Sequence, residues 1–198
     1  MTPPLAFLLL AAGAGSRMGM PKQLMVLDGQ PLLLRTLATV RAAAGSAPVY
    51  VVLGARAAMI RPLLTDGPVG TVINPDWESG MASSLQAGLA AALADEPELG
   101  GVVLTVVDQP ALTADHLRQL VQAWCEGSDL IGSVYADGGR GVPALIGAAH
   151  FPALRALTGA AGAGPLLRDP ARKAHWIPFP EGHRDLDKPE DWENWRRK

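Results

Sequence analysis

A continuous apolar run, Leu5–Ala11, leads directly into a glycine-rich segment, and this junction constrains the fold more than any other feature of the sequence. A strand that is apolar throughout is buried on both faces, which is typical of a parallel sheet covered by helices. Four further short, mostly apolar runs follow, at Pro48–Gly54, Val69–Asn74, Val102–Val107 and Leu130–Tyr135. We therefore predict five strands, most of them in a parallel sheet.

Segments with the apolar spacing of helices separate or follow these runs. They are Pro31–Ala44, Ala55–Leu64, Met81–Ala94 and Thr113–Glu126, the last with Thr113 as its expected N-cap. Alternating strands and helices predict an α/β, doubly wound fold, with a mostly parallel sheet flanked by helices. Because the sequence has no internal repeat and no long linker, we expect a single domain over 1–198 that ends in a helix from Pro189 onward.

The composition excludes several kinds of site. The formal net charge is −2, with no block of like charges, so we expect no nucleic-acid partner. The single cysteine, Cys125, excludes an internal disulfide and a cysteine-cluster zinc site. The histidines share no spacing typical of metal ligands, which favours structural or solvent-exposed roles; they are His116, His150, His175 and His183.

The apolar N-terminal run has some features of a signal peptide. No Lys or Arg precedes Leu5–Ala12, however, and the first charged residue, Arg17, follows it. The run is also shorter than the ~20 residues that span a bilayer. We therefore interpret it as a buried strand and expect a cytoplasmic protein with no membrane segment.

The loop after the first predicted strand combines glycines with cations. Ligands of open α/β sheets bind at the carboxyl ends of the strands. There, Gly13, Gly15 and Gly19 allow the chain to turn and backbone N–H groups to approach an anion. Arg17 and Lys22 add two positive charges. The combination predicts a phosphate-binding loop; the alternative is an ordinary turn with a solvated Arg and Lys.

Two other phosphate-binding motifs fit less well. A P-loop requires Gly-Lys-Ser/Thr, whereas Gly19 is followed by Met-Pro-Lys. A dinucleotide-binding fold has similar glycine spacing, but it requires an acidic residue for the ribose at the end of the second strand, and none lies near Gly54. Arg56 would suit the extra phosphate of NADP, so an NADP-dependent oxidoreductase remains an alternative.

The sequence from Leu10 to Lys22 reads Leu-Ala-Ala-Gly-x-x-x-Arg-Met-Gly-x-x-Lys, which resembles the signature loop of the MobA-like NTP transferase family. Within that family it is most similar to the cytidylyltransferases of the molybdenum cofactor. The resemblance covers Leu5 to about Trp192 and implies a Rossmann-like nucleotidyltransferase fold. It implies a nucleotide-binding half over about 1–110 and an acceptor-binding half over about 111–198.

The resemblance also implies roles for individual residues of the loop. Arg17 and Lys22 would hold the charges of the triphosphate and act in catalysis. The nucleotide-binding residues that it implies are Leu10, Ala11, Ala12, Gly13, Gly15, Ser16, Arg17, Gly19 and Lys22.

A second segment, between the third predicted strand and the next helix, contains Gly80, Ser83 and Ser84. Such residues cap helices in many proteins, and that role alone would explain them. The segment resembles the family's Gly-Met-x-Ser-Ser-Leu sequence, which contributes to base and ribose binding. We therefore expect these three residues to bind nucleotide.

Carboxylates lie at two further places. Asp108 ends the fourth predicted strand, where it could cap a turn or act as the hard oxygen ligand that Mg²⁺ prefers beside substrate phosphates. Its Asp-Gln-Pro motif resembles that of the family, which implies a metal-binding and catalytic role. Asp185 and Asp187 resemble the family's Asp-x-Asp-x-Pro-Glu-Asp element, and one of them would be the second ligand. We therefore expect Mg²⁺ as the cofactor.

The family resemblance implies transfer of a nucleoside monophosphate to a phosphorylated acceptor, with release of pyrophosphate. The sequence Ala11-Ala12-Gly13, with Pro21 before Lys22, resembles the cytidylyl rather than the guanylyl branch. The nucleotide would then be CTP, the acceptor molybdopterin, and the partner a molybdenum hydroxylase or its chaperone. Another nucleotide or acceptor, an oxidoreductase and a non-catalytic pterin carrier are the alternatives.

The acceptor half departs from the family pattern in one place. Gly141–Leu145 resembles the strand beside the acceptor pocket. The family commonly continues with Gly-Asp-x-Gly-Ala-Arg, whereas Gly159–Gly164 lacks both the acid and the base. The sequence therefore supports nucleotide binding more strongly than recognition of a particular acceptor.

Overall fold

A seven-stranded sheet forms the centre of the described chain, residues 3–65 and 67–197 of a computed structural model. The predicted domain, 1–198, also includes Met1, Thr2, Asp66 and Lys198, which lie outside the described residues. The strands are β1 (Leu5–Ala11), β2 (Val26–Leu27), β3 (Gln30–Pro31), β4 (Val49–Leu53), β5 (Gly70–Ile73), β6 (Gly101–Val106), β7 (Leu130–Val134), β8 (Arg140–Gly147) and β9 (His175–Pro178).

Helices and short 3₁₀ turns connect these strands. The α-helices are α1 (Leu32–Ala44), α2 (Ala57–Ile60), α3 (Met81–Asp95), α4 (Ala114–Cys125), α5 (Phe151–Arg155), α6 (Gly164–Arg168) and α7 (Pro189–Arg196). The 3₁₀ turns are Ser16–Met18, Lys22–Leu24, Arg61–Leu63, Trp77–Ser79, Ala148–His150, Pro170–Arg172 and Pro180–His183. Among the described residues, no helix is long and apolar enough to cross a membrane.

The strand order confirms the predicted doubly wound, mostly parallel sheet. The order is β5-β4-β1-β6-β8-β7-β9, and β2 pairs with β3 in a separate two-stranded sheet. Neighbouring strands of the large sheet are parallel except at β8, which is antiparallel to both β6 and β7. The carboxyl ends of β1, β4, β5 and β6 therefore meet at one edge, and the reversed strand β8 begins at that edge.

The apolar run of β1 is buried on both faces, as predicted. Phe7, Leu9 and Ala11 belong to one core cluster, while Ala6 and Leu8 belong to the other. Helices α1, α2 and α4 cover the first face, and α3, α5 and α6 cover the second. Because β1 is held from both sides, the loop that follows it begins from a fixed point in the sheet.

The second predicted helix, Ala55–Leu64, is shorter in the structure. Helix α2 contains only Ala57–Ile60 and continues into a 3₁₀ turn. Arg56 has φ +57°, a left-handed conformation that prevents an earlier start. Pro62 lacks a backbone N–H and clashes with the preceding helical turn, so the α-helical hydrogen bonds end there.

The sheet is more extensive in the second half of the chain than the apolar runs predict. The Gly141–Leu145 segment is part of the longer strand β8, which pairs with both of its neighbours. Strand β9 has no counterpart among the predicted strands. It lies at the edge of the sheet with His175 and Pro178 exposed, so it lacks the continuous apolarity of a central strand.

His116 lies buried on α4, whose N-cap is Thr113, as predicted. The imidazole stacks on Phe179 with the ring centroids 4.6 Å apart, and its Nε2 lies 2.7 Å from the Ser133 hydroxyl. That hydroxyl donates its single proton to the Pro143 carbonyl, so the imidazole Nε2–H must be the donor in the other bond. Burial lowers the pKa of His116 to about 4, and the ring is neutral at physiological pH.

This burial predicts a pH dependence of stability. The unfolded chain has a histidine pKa near 6.5, so below that pH protons bind the unfolded chain preferentially and stability is lost as the pH falls toward 4. At pH 4.5 the loss attributable to His116 is about 2–3 kcal/mol. The measurement is urea unfolding at pH 7 and pH 4.5 for the natural protein and His116→Gln. Equal losses in the two proteins would contradict the assignment.

Candidate active site

The loop after β1 forms an open cradle. Gly15 has φ +67°, and a Cβ there would lie 2.3 Å from the Met20 carbonyl oxygen, so this close turn requires glycine. A Cβ at Gly13 would meet nothing within 4 Å, and Gly13 lines the cleft above the sheet. The backbone N–H groups of Gly13, Ala14 and Gly15 donate to no protein acceptor among the described residues. They are therefore available to an anion.

Gln23 holds this loop to the strand that precedes it. Its side chain is buried and donates to the carbonyl oxygens of Ala11 at 2.7 Å and Gly13 at 2.9 Å. The neighbouring residue, Lys22, lies in the same 3₁₀ turn. The backbone at Lys22 is thereby fixed relative to the end of β1, while its flexible side chain extends into the cleft.

Lys22 brings together the predicted metal ligands from two distant segments. Its Nζ donates to Asp108 Oδ2 at 2.9 Å and also to Asp187 Oδ1. The backbone N–H of Leu186 donates to the Asp108 carbonyl at 2.9 Å, which holds the segment before α7 against the end of β6. Arg17 adds a weaker contact, with its guanidinium 3.3 Å from Asp187 Oδ2. The loop cations and the carboxylates thus form one charged cluster.

The electrostatics of this cluster follow from its geometry. Burial alone would lower the pKa of Lys22, but Asp108 and Asp187 outweigh it and the pKa is raised. The hydrogen bond from Lys22 lowers the pKa of Asp187. Asp185 is the contrasting case, since the cleft around it and the nearby Asp108 raise its pKa to about 7. The direct contact with Lys22 therefore favours the charged form of Asp187, whereas burial disfavours that of Asp185.

The carboxylates of this cluster resemble the protein ligands of a magnesium site in number and type. Within residues 3–65 and 67–197, no three His, Cys, Asp or Glu side chains are arranged to hold a metal by themselves. Mg²⁺ commonly uses only one or two carboxylates and takes its other ligands from water and substrate phosphates. Asp108 and Asp187 already share one cation, the Lys22 ammonium, and their oxygens face the cleft. Their chemistry and placement fit a divalent metal held jointly with phosphate.

The N-terminus of α3 also lines the cleft. Asn74 donates to the hydroxyls of Ser83 at 2.9 Å and Ser84 at 3.0 Å. The Ser83 hydroxyl also lies 2.8 Å from the Gly80 carbonyl oxygen, so its bonds are directed to the protein. Gly80 and Ser84 line the cleft, whereas Ser83 does not. The nucleotide-binding role of Ser83 stays a prediction.

An aromatic residue lies close to the glycine loop. A Cβ at Gly54 would lie 2.4 Å from Trp77 Cβ and 2.9 Å from Ala12 Cβ, so the approach of these residues requires glycine. Trp77 lines the cleft on the side of α3. Sequence reasoning did not select Trp77, because a tryptophan after an edge strand has no distinctive spacing.

The cleft has a volume of about 580 Å³ and is lined by most of the predicted site residues. The predicted residues that line it are Leu10, Ala11, Ala12, Gly13, Gly15, Ser16, Arg17, Lys22, Gly80, Ser84, Asp108, Asp185 and Asp187. Gly19 lies outside the lining and ends the 3₁₀ turn of the loop with φ +72°. Lining residues that the sequence did not indicate include Gln23, Trp77, Gln109 and Tyr135.

Gln109 and Tyr135 connect the end of β6 to the start of β8. Gln109 Nε2 lies 3.2 Å from the Val142 carbonyl oxygen and 3.1 Å from that of Gly182. The Tyr135 hydroxyl donates to the same Val142 carbonyl at 2.5 Å. These bonds fix the residue after Asp108 against the start of β8. The signal for Gln109 was its place in the Asp-Gln-Pro motif, but its contacts depend on tertiary structure.

The Gly159–Gly164 segment, which departs from the family pattern, packs against α3. The Gly159 carbonyl accepts from the Ala82 N–H at 3.1 Å, and a Cβ at Gly80 would lie 2.3 Å from the Gly159 carbonyl carbon. At Gly164 a Cβ would lie 2.7 Å from the Arg168 guanidinium. Arg168, one helical turn later, donates to the Arg140 carbonyl at 3.0 Å.

Sequence comparison gives the family directly. The MobA-like NTP transferase domain matches residues 7–175, which include the glycine loop, α3 and Asp108. The chain belongs to the MobA-like NTP transferase family. Nucleotidyl transfer is the chemistry of this family, and the sheet, the loop and the carboxylates of the cleft agree with it.

Three proteins illustrate the range of similarity. Nicotine blue oxidoreductase from Paenarthrobacter nicotinovorans is 34% identical over 168 residues, 81% of this chain and 79% of that protein. Rv0371c from Mycobacterium tuberculosis H37Rv superposes over all of both chains, with a TM-score of 0.85 and 25% identity. Its manganese complex matches 96% of this chain and 97% of that chain, with a TM-score of 0.78 and 26% identity. Mth528, a nucleotidyl transferase from Methanothermobacter, covers 98% of this chain and 96% of its own, with a TM-score of 0.80 and 25% identity.

Two glycines of the MobA-like loop provide a matched test of its geometry. Gly15 and Gly19 both have positive φ, but only Gly15 is in contact with a backbone carbonyl that a Cβ would overlap. We expect Gly19→Ala to lower the free energy of unfolding by about 1 kcal/mol. Gly15→Ala should lower it by at least another ~1 kcal/mol and weaken nucleotide binding. Urea unfolding measures the free energy of unfolding of each variant, and nucleotide titration measures its affinity. Equal losses in Gly15→Ala and Gly19→Ala would contradict the close turn at Gly15.

Proposed function

We propose that this protein transfers CMP from CTP to the phosphate of a molybdopterin-type acceptor and releases pyrophosphate. The observation that supports this most strongly is the contact of Lys22 with Asp108 and Asp187 beside an open glycine loop. A cleft of this kind offers cations and backbone N–H groups to a triphosphate, and carboxylates to the metal that accompanies it. Family membership and the name of Mth528 support the same chemistry.

The proposed reaction is an in-line displacement at the α-phosphorus of the nucleotide. An oxygen of the acceptor phosphate forms a bond to that phosphorus, and the bond to the oxygen that bridges the α- and β-phosphates breaks. The electron pair leaves with pyrophosphate. Because no covalent bond to the protein is needed, the protein contributes by positioning and by compensating negative charge.

The residues divide into two groups in this mechanism. Arg17, Lys22 and the free N–H groups of Gly13 to Gly15 would hold the β- and γ-phosphates, which become the leaving group. Asp108 and Asp187 would hold Mg²⁺, with Asp185 beside them. When bound, the metal neutralises phosphate charge. The manganese complex of Rv0371c supports a divalent ion in a related protein.

The nucleotide and acceptor are the finer part of the proposal. CTP is favoured because Ala11, Ala12 and Pro21 resemble the cytidylyl branch of the family. Trp77, Gly80 and Ser84 would border the base and ribose, since they line the cleft and follow β5, which lies three positions from β6 in the sheet. The product would be a cytosine dinucleotide form of the molybdenum cofactor, made in the cytoplasm for a molybdenum hydroxylase or its chaperone.

One observation favours a second function, that of an oxidoreductase using a nicotinamide dinucleotide. The relative that is 34% identical bears the name nicotine blue oxidoreductase, and it spans most of this chain. The glycine loop could hold a pyrophosphate in either case. The absence of an acidic residue after β4 disfavours this alternative, because the ribose lacks its usual partner. Oxidation of NADPH without any metal would distinguish it.

The decisive assay measures pyrophosphate release from CTP, GTP or ATP with a molybdopterin acceptor. We expect Asp108→Asn to lower the rate at least roughly 10³-fold, because a transition-state contact is lost. Its free energy of unfolding should stay within about 1 kcal/mol of the natural value. Asp28→Asn is the matched control, since Asp28 pairs only with Arg35 on the surface among the described residues.

Two outcomes would contradict the proposal. If Asp108→Asn releases pyrophosphate as fast as Asp28→Asn, the metal-binding role of Asp108 is wrong. If the natural protein releases none with any nucleotide but oxidises NADPH with an aromatic acceptor, the oxidoreductase is correct.

A further inference from the structure

The cations of the loop contact the carboxylates of the same cleft. Lys22, with a side chain only 16% exposed, bonds to both Asp108 and Asp187. Arg17 is 71% exposed and lies 3.3 Å from Asp187. The groups proposed to hold the triphosphate are therefore paired with the groups proposed to hold the metal.

In this pairing the positive charges of Lys22 and Arg17 compensate the negative charges of Asp108 and Asp187. A divalent cation that binds alone must compete with the Lys22 ammonium for Asp108 and Asp187. A triphosphate that binds alone must take Lys22 away from them and leave two carboxylates uncompensated beside Asp185. When both ligands bind together, each set of protein charges gains a partner of opposite sign.

We propose that Lys22 exchanges partners, from Asp108 and Asp187 in the free protein to the phosphates in the complex, and so couples metal binding to nucleotide binding. Neither ligand then binds tightly without the other. The inference rests on the proposed function, because it takes the metal and the triphosphate as the ligands of this cleft. By thermodynamic linkage, the metal strengthens nucleotide binding by the same factor as the nucleotide strengthens metal binding.

The geometry favours Lys22 over Arg17 as the exchanging group. Gln23 holds the adjacent backbone to Ala11 and Gly13, so the main chain need not move. The lysine stem has four rotatable carbons and carries a compact charge, which suits movement between two nearby anions. Arg17 lies mostly in solvent, where water screens its attraction to Asp187.

The first test measures Mn²⁺ binding by the electron paramagnetic resonance of free Mn²⁺, with no nucleotide present. Lys22→Met should bind Mn²⁺ roughly tenfold more tightly than the natural protein, within the usual range of coupling between linked sites. Arg17→Met removes the same charge from the same cleft and should change the affinity less than about threefold. Arg35→Met, at a residue that does not line the cleft, is the control for loss of an exposed ion pair.

The reciprocal test measures CTP binding by calorimetry in EDTA. Asp187→Asn removes one partner of Lys22 and should strengthen metal-free CTP binding several-fold relative to the natural protein. In the natural protein CTP should tighten Mn²⁺ binding, and in Lys22→Met this effect should fall roughly tenfold. If Lys22 only stabilised the fold, Lys22→Met and Asp187→Asn would each weaken the binding of both Mn²⁺ and CTP. Each variant would then also have a lower Tm in thermal unfolding.

The outcomes separate the exchange from the proposed function. The exchange would be overturned, whatever the nucleotide is, if Lys22→Met leaves the Mn²⁺ affinity unchanged. It would also be overturned if Lys22→Met and Arg17→Met raise the Mn²⁺ affinity equally. If Mn²⁺ binding tightens as expected and GTP or ATP replaces CTP in the coupling, the exchange stands and the choice of CTP is wrong.

Discussion

The Lys22 ammonium joins segments that are as much as 165 residues apart, because it bonds at once to Asp108 after β6 and to Asp187 before α7. Its own position depends on β1, which is buried on both faces, and on Gln23, which holds the loop to the end of that strand. The carboxylates depend in turn on the bond between Leu186 and the Asp108 backbone. The cluster therefore joins the glycine loop and the C-terminal segment in the lining of one cleft.

Much of the fold could be predicted from apolar patterning. Strand β1 was predicted with its observed bounds because a strand buried on both faces is apolar at every position. The same reasoning could not find β9, which lies at the sheet edge with exposed ends, because edge strands lack that pattern. It also extended α2 too far, since Arg56 adopts a left-handed conformation that no apolar spacing reveals.

The charged part of the site was more predictable than its neutral walls. Arg17, Lys22 and Asp108 follow strands whose carboxyl ends meet, so the topology brings them together. Trp77 and Tyr135 were missed because they enter the cleft only through contacts with distant residues, such as the approach of Trp77 to Gly54. The contacts of Lys22 and Arg17 with the carboxylates could not be predicted either. The sequence indicates phosphate for the cations and metal for the carboxylates, but not that these side chains contact one another.

Thermal unfolding with added ligands tests most directly whether this cleft binds a metal–nucleotide complex. The protein is heated alone and with CTP, GTP, ATP or NADPH, each in Mg²⁺ and in EDTA. A ligand at 100 times its dissociation constant stabilises the fold by about 2.7 kcal/mol, which raises Tm by about 5–10 °C for a chain of this size. We expect the largest shift with CTP and Mg²⁺ together, and little with either alone. A shift with NADPH that is equal in EDTA, and none with any triphosphate, would contradict the central claim.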